Sequence, residues 1–172
     1  FSLGNVYKEG EGVKQDHVEA VRWWRKAADQ SDADAQFNLG HAYKNGKGVK
    51  QDQVESARWY RKAADQGHVP AQFNLGIAYY DGEGVKQDHA EAACLFSKAA
   101  EQGNAAAQFN LALQYVNGEG VQQDHVEAVR WYRKAADQGH GKAQCNLGYA
   151  YQNGEGVKQD QIEACRWYRN AA

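Results

Sequence analysis

The sequence predicts an all-α fold: an α/α superhelical solenoid of stacked helix-turn-helix repeats. Three observations carry this. A 36-residue block recurs in fixed register, so that Phe37-Asn38-Leu39-Gly40 returns as Phe73-Asn74-Leu75-Gly76, Phe109-Asn110-Leu111-Ala112 and Cys145-Asn146-Leu147-Gly148. Each block holds two stretches with apolar residues at helical spacing. Glycines and an Asp-x-x-Glu signal separate the two stretches. A fixed period of this length marks stacked supersecondary units rather than a globule around one closed site.

The unit at residues 69–103 justifies each element in turn. Pro70 suits the first turn of a helix, where its missing N–H is no loss. Ala71, Leu75, Ala78 and Tyr79 then form an apolar stripe, and Gly76 beside it allows close approach of another helix. Gly82 and Gly84 end that helix by supplying left-handed backbone, and Val85 plugs the loop onto the core. Asp88 caps a second helix, with Glu91 reaching back as in a capping box. The same pair recurs as Asp16/Glu19, Asp52/Glu55, Asp124/Glu127 and Asp160/Glu163. Along the second helix Ala20, Trp23, Trp24, Ala27 and Ala28 form the buried side, while Glu19, Arg22 and Lys26 face water. The helix closes at Asp-Gln-Gly and the pattern restarts. No such hairpin buries its stripe alone, so stacking must complete the core.

The chain of 172 residues reads as a single array: a partial repeat at 1–36, then 37–72, 73–108 and 109–144, and a truncated unit at 145–172. Phe1-Ser2-Leu3-Gly4 enters in mid-repeat and no methionine is present, which reads as a segment of a longer protein of unspecified compartment. Net charge is −2 with both signs interleaved, so no basic stripe points to nucleic acid. Apolar runs are too short for membrane insertion, and a soluble protein is expected. Cys94, Cys145 and Cys165 form no repeated framework. Between Cys145 and Cys165 an axial offset of about 10 Å, at ~1.5 Å per residue, is too long for a disulfide, so free thiols are expected.

Taken together, Ala-Gln-Phe-Asn-Leu-Gly-x-Ala-Tyr, Gly-x-Gly-Val-x-Gln-Asp and Glu-Ala-x-x-Trp-Tyr-Arg-Lys-Ala-Ala resemble the Sel1-like repeat. That family is related to the tetratricopeptide repeat, with a longer, glycine-marked loop. The resemblance covers the whole chain. It implies an adaptor or binding scaffold, of a kind frequent in bacteria and often exported. Cysteine-rich members bridge the end of one second helix to the start of the next first helix. Here those places hold Ala64 and Gln72, and Ala136 and Gln144, so that bridging scheme is absent and the resemblance does not by itself imply activities special to that branch, β-lactam binding included.

Several chemical readings fall to structural ones. The Gly-x-Gly loops lack the third glycine, the Lys-Ser pair and the preceding strand of a phosphate cradle. His17, His89 and His125 share one repeat position, and layers about 8–10 Å apart do not share a metal ion. The Asp/Glu pairs recur in every unit, as capping requires and catalysis does not. Cys94 and His89 point to different faces of one helix. The pairs Trp23/Trp24, Trp59/Tyr60, Trp131/Tyr132 and Trp167/Tyr168 sit at core spacing, with Leu95-Phe96 in the same slot. No catalytic residue, metal or cofactor is assigned.

What remains is variation. Opposite the first-helix stripe the units read Asn5 and Lys8, His41 and Lys44, Ile77 and Tyr80, Leu113 and Val116, Tyr149 and Gln152. Beside them runs a ladder of Asn38, Asn74, Asn110 and Asn146. In tetratricopeptide-like solenoids first helices line the concave face, so these residues are the candidate groove for a protein or peptide partner, with the amides facing its backbone. Phe37, Phe73 and Phe109 lie at its edge, lining it or packing sideways. A cell-wall-related enzyme or small-molecule binder, and an architectural spacer associating end to end, are the alternative readings.

Overall fold

The computed structural model describes residues 3–171, so Phe1, Ser2 and Ala172 lie outside the described residues. Ten α-helices and no strands occur among the described residues. They are α1 (Leu3–Glu9), α2 (His17–Ala28), α3 (Ala33–Asn45), α4 (Gln53–Asp65), α5 (Val69–Asp81), α6 (His89–Glu101), α7 (Ala105–Asn117), α8 (His125–Asp137), α9 (Gly141–Asn153) and α10 (Gln161–Ala171). They group into two compact units, one ending at Gln87 and one starting at Asp88.

In the first unit the core is shared between hairpins, as the sequence requires. Ala20, Val21, Trp24 and Ala28 of α2 meet Ala35, Leu39 and Ala42 of α3, with Tyr7, Val49 and Trp59 packed against them. Val49, the loop valine, does plug onto the core. The second-helix stripe is rotated from the expected one: Val21 is buried, while Trp23 and Ala27 are only half-buried. The reason is register. Trp24 stands four residues from both Ala20 and Ala28, on one line down the helix. Tyr60, Phe96 and Tyr132 hold the same place and are buried. The residue before them sits off that line: Trp23 and Trp59 lie half-exposed under Lys26 and Lys62, whose ammonium groups stand 4.3 and 4.0 Å from the ring centres, whereas Leu95, Trp131 and Trp167 at the same place are buried.

The caps differ from the expected box in one half. Asp16, Asp52, Asp88, Asp124 and Asp160 each accept from the two backbone N–H groups that follow the first helical residue. The glutamates do not reach back. The backbone N–H of Asp16, Asp52, Asp124 and Asp160 is already given to a first-helix tyrosine carbonyl. Glu19, Glu55, Glu127 and Glu163 instead pair with the arginine three residues on.

First helices carry caps of their own, which the sequence reading did not find. Asp32, His68, Asn104 and His140 each accept from the backbone N–H three residues on. At His140 the acceptor is Nδ1, so only the neutral imidazole caps. Burial first, then Lys142, pushes its pKa below the ordinary histidine value, against a backbone hydrogen bond that raises it. The unfolded chain therefore takes up the proton at higher pH. Stability is complete above the unfolded value near 6.5 and is lost as pH falls through the lower folded value. His41 is depressed too, chiefly by burial, and acts in the same direction. Melting temperature is expected to fall between about pH 7.5 and 5.5, and to fall less in His140→Asn, which copies Asn104. An unchanged profile in the variant would remove the cap from the account.

Hairpins are joined by buried glutamines. Gln36, Gln72, Gln108 and Gln144 donate to the carbonyls of Ala28, Ala64, Ala100 and Ala136 at 3.3, 3.4, 3.0 and 3.1 Å. Here a hydrogen bond satisfies the end of one second helix from the start of the next first helix.

A recognition face built from first helices

Recesses open between first helices in both units, and two of them occupy equivalent places. In the first unit a cavity of about 400 Å³ lies between α1 and α3, over Trp24 and Phe37, and is walled by Lys8, Asn38, His41 and Lys47. In the second unit a cavity of about 200 Å³ lies between α7 and α9, over Val129 and Tyr132, and is walled by Leu113, Val116, Asn146 and Tyr149. Tyr149 is 54% exposed. Second helices contribute Trp24, Val129 and Tyr132 to the floors, a contribution that first-helix periodicity did not reveal.

The other expected face residues are placed as follows. Lys44 is half-buried and paired with Glu83 at 3.4 Å. Ile77 and Tyr80 are half-buried on α5. Gln152 accepts from the Tyr168 hydroxyl at 2.8 Å, which ties it to α10.

The asparagine ladder is already engaged within the fold. Asn38 donates to Asn5 Oδ1, which also receives the Trp24 indole N–H. Asn74 and Asn110 donate to the carbonyls of Pro70 and Ala106, one turn back. Asn146 donates to the Tyr132 hydroxyl at 3.0 Å, and burial of that phenol raises its pKa against this bond. Asn38 and Asn146 thus help fix the recess walls. Phe37 and Phe109 pack sideways, with ring centres 4.9 and 4.8 Å from His68 and His140 and 5.7 and 5.9 Å from Tyr60 and Tyr132. Phe37 also reaches the first cavity.

Cys94, Cys145 and Cys165 are free and exposed. Among the described residues, no three His, Cys, Asp or Glu groups come together as a metal site, and no helix is long and apolar enough to cross a membrane.

The family model for the Sel1 repeat matches residues 1–32, 33–68, 69–104, 105–140 and 141–172, the whole length of the chain. The chain belongs to the Sel1 repeat family. The Sel1 boundaries fall at first-helix starts, four residues ahead of those taken from the Phe-Asn-Leu-Gly segment. Among solved structures, the array is similar to c5321, a protective antigen of uropathogenic Escherichia coli strains displaying an SLR fold. Identity is 41% and the TM-score 0.96, over 98% of this chain and 36% of c5321. A Sel1 repeat protein from Oxalobacter formigenes matches at 37% identity and TM-score 0.95, over 98% of this chain and 70% of that one. Helicobacter pylori cysteine rich protein B shares the fold at 24% identity and TM-score 0.59, over 78% of this chain and 96% of that one. No curated protein matches the sequence. The fold is therefore an α/α solenoid of Sel1 repeats, a family that generally serves as protein-interaction scaffolds.

Proposed function

We propose that this Sel1 array is a non-enzymatic adaptor whose first-helix face binds a protein or peptide segment. The observation that carries the reading is the recess between α7 and α9. Leu113, Val116 and Tyr149 surround a cavity of about 200 Å³ open to solvent, room for one apolar side chain of a ligand. A half-exposed tyrosine beside aliphatic walls is the usual composition of an interface anchor.

The test is selection from a random peptide library on the wild-type chain. Enriched peptides are expected to lose about tenfold or more in affinity for Leu113→Ala/Tyr149→Ala, as removal of an anchor does. Melting should fall little, because Tyr149 is exposed and Leu113 only half-buried. Peptides that bind both proteins equally would move the site off this face. A large loss of melting temperature would make Leu113 a core residue instead.

A further inference from the structure

The recess between α1 and α3 and the recess between α7 and α9 occupy equivalent places in repeats three periods apart, and seven repeat positions line both. His17, Trp24, Asn38 and Ala42 of the first match His125, Tyr132, Asn146 and Ala150 of the second. The remaining positions differ in kind. Lys8, His41 and Lys47 stand where the second recess has Val116, Tyr149 and Glu155. One scaffold thus presents a basic recess in one unit and an apolar one in the other.

Lys47 is the most informative of these residues. At its place in the loop the other repeats carry Glu11, Glu83, Glu119 and Glu155, so one repeat reverses the charge. No carboxylate among the described residues lies within ion-pair distance of Lys47, whereas Lys8 is paired with Glu9 at 2.8 Å. Glu9 is the one carboxylate in the lining, against Lys8, Lys47 and two histidines. The field in the recess is accordingly positive. Burial and then Lys47, Lys8 and Lys44 all disfavour a proton on His41, while Lys8, His17 and Lys47 all favour the charged form of Glu9.

We propose that the recess between α1 and α3 receives the carboxylate side chains of an acidic peptide segment, with Lys47 and Lys8 as charge partners and Trp24 and Phe37 as its apolar floor. This rests on the peptide-binding reading above and specifies the ligand chemistry for the first unit. A nucleic acid fits less well. The chain carries a net charge of −2, and acidic and basic residues alternate within every repeat, so no uninterrupted basic stripe runs along the array.

The experiment uses fluorescein-labelled peptides of alternating Glu and Leu, their glutamine-for-glutamate counterparts, and a single-stranded oligonucleotide. Anisotropy is read at about 25 mM and about 300 mM salt, which spans strong to weak screening. The variant is Lys8→Val/Lys47→Glu, which installs residues the second recess already tolerates at the same positions. The glutamate peptide is expected to bind wild type about tenfold tighter than its glutamine counterpart at low salt, and less so at high salt. In the variant the two peptides should agree within about twofold, the size of residual long-range effects.

Equal binding of the two peptides to wild type would overturn the proposal, as would discrimination that survives in the variant. Tighter binding of the oligonucleotide would overturn it in favour of a nucleic acid. If the glutamine peptide binds as well as the glutamate one and both are lost in Leu113→Ala/Tyr149→Ala, the peptide-binding reading stands and only the acidic specificity falls. Failure of every peptide to bind overturns both.

Discussion

Gly84→Ala is expected to destabilise the array by about 3–5 kcal/mol, while Gly12→Ala, at the same loop position, is expected to cost about 1–2 kcal/mol. Both glycines hold left-handed backbone, with φ of +71° and +74°, so both substitutions incur the steric penalty of a Cβ there. They differ in what that Cβ meets. At Gly84 it would lie 2.0 Å from the carbonyl oxygen of Gln53, the first residue of the preceding second helix, and at Gly12 nothing lies within 4 Å. Gly48, Gly120 and Gly156 repeat the approach, at 2.1 Å from the carbonyls of His17, His89 and His125. Backbone on backbone has no rotamer by which to yield, so relief requires one repeat to shift on the next. Gly40 is a useful contrast, because the nearest atoms a Cβ there would meet belong to the Tyr60 ring, and Ala112 fills the same repeat position fully buried. Chemical denaturation of the two alanine variants measures the difference. Equal losses would mean that the loop glycine serves helix termination alone.

The second large effect lies in the aromatic pair. Tyr60→Ala is expected to cost about 3–5 kcal/mol, the range for truncating a buried aromatic, and Trp59→Ala about 1–3 kcal/mol. Tyr60 is 1% exposed and lies against Gly40, whereas Trp59 is half-buried under Lys62. The Tyr60 hydroxyl is buried without a hydrogen-bond partner, while the neighbouring Ser56 hydroxyl donates to the Gly40 carbonyl at 2.8 Å. Burial pushes the phenol pKa up to about 12, with Ser56 opposing. Tyr60→Phe is therefore expected to be neutral or stabilising, as removal of a buried unpaired polar atom is. A loss of more than about 1 kcal/mol in Tyr60→Phe would mean that the hydroxyl is bonded after all. Trp59→Ala costing as much as Tyr60→Ala would return the tryptophan to the core.

Fold and repeat architecture were legible in the sequence because they are periodic. Helical spacing, the Asp caps and the glycine breaks each occur several times, so every occurrence tests the others. What periodicity cannot reveal is contact between repeats. The second glycine of each loop reads as a helix terminator, yet Gly84 also admits the Gln53 carbonyl of the preceding second helix. Gln36 and its equivalents read as part of a signature, yet they close the preceding helix. In the pair Trp59/Tyr60 both residues are aromatic, and only the packing selects the buried one. On the candidate face, the variable positions Leu113, Val116 and Tyr149 do meet at one recess, because first-helix residues at equivalent heights become neighbours on stacking. The asparagines were harder to read, since the same amide serves a ligand or a neighbouring side chain, and Asn146 is bonded to Tyr132.

Amide chemical-shift mapping tests the central claim most directly, that the first-helix face is where this scaffold meets its partner. A library-selected peptide is titrated into the labelled chain. The account expects the largest shifts at residues lining the recesses, among them Asn38, His41, Leu113, Val116, Asn146 and Tyr149, with little change along Arg22, Arg58 and Arg130 on the exposed side of the second helices. Shifts concentrated on those arginines, with the recess residues unmoved, would contradict it.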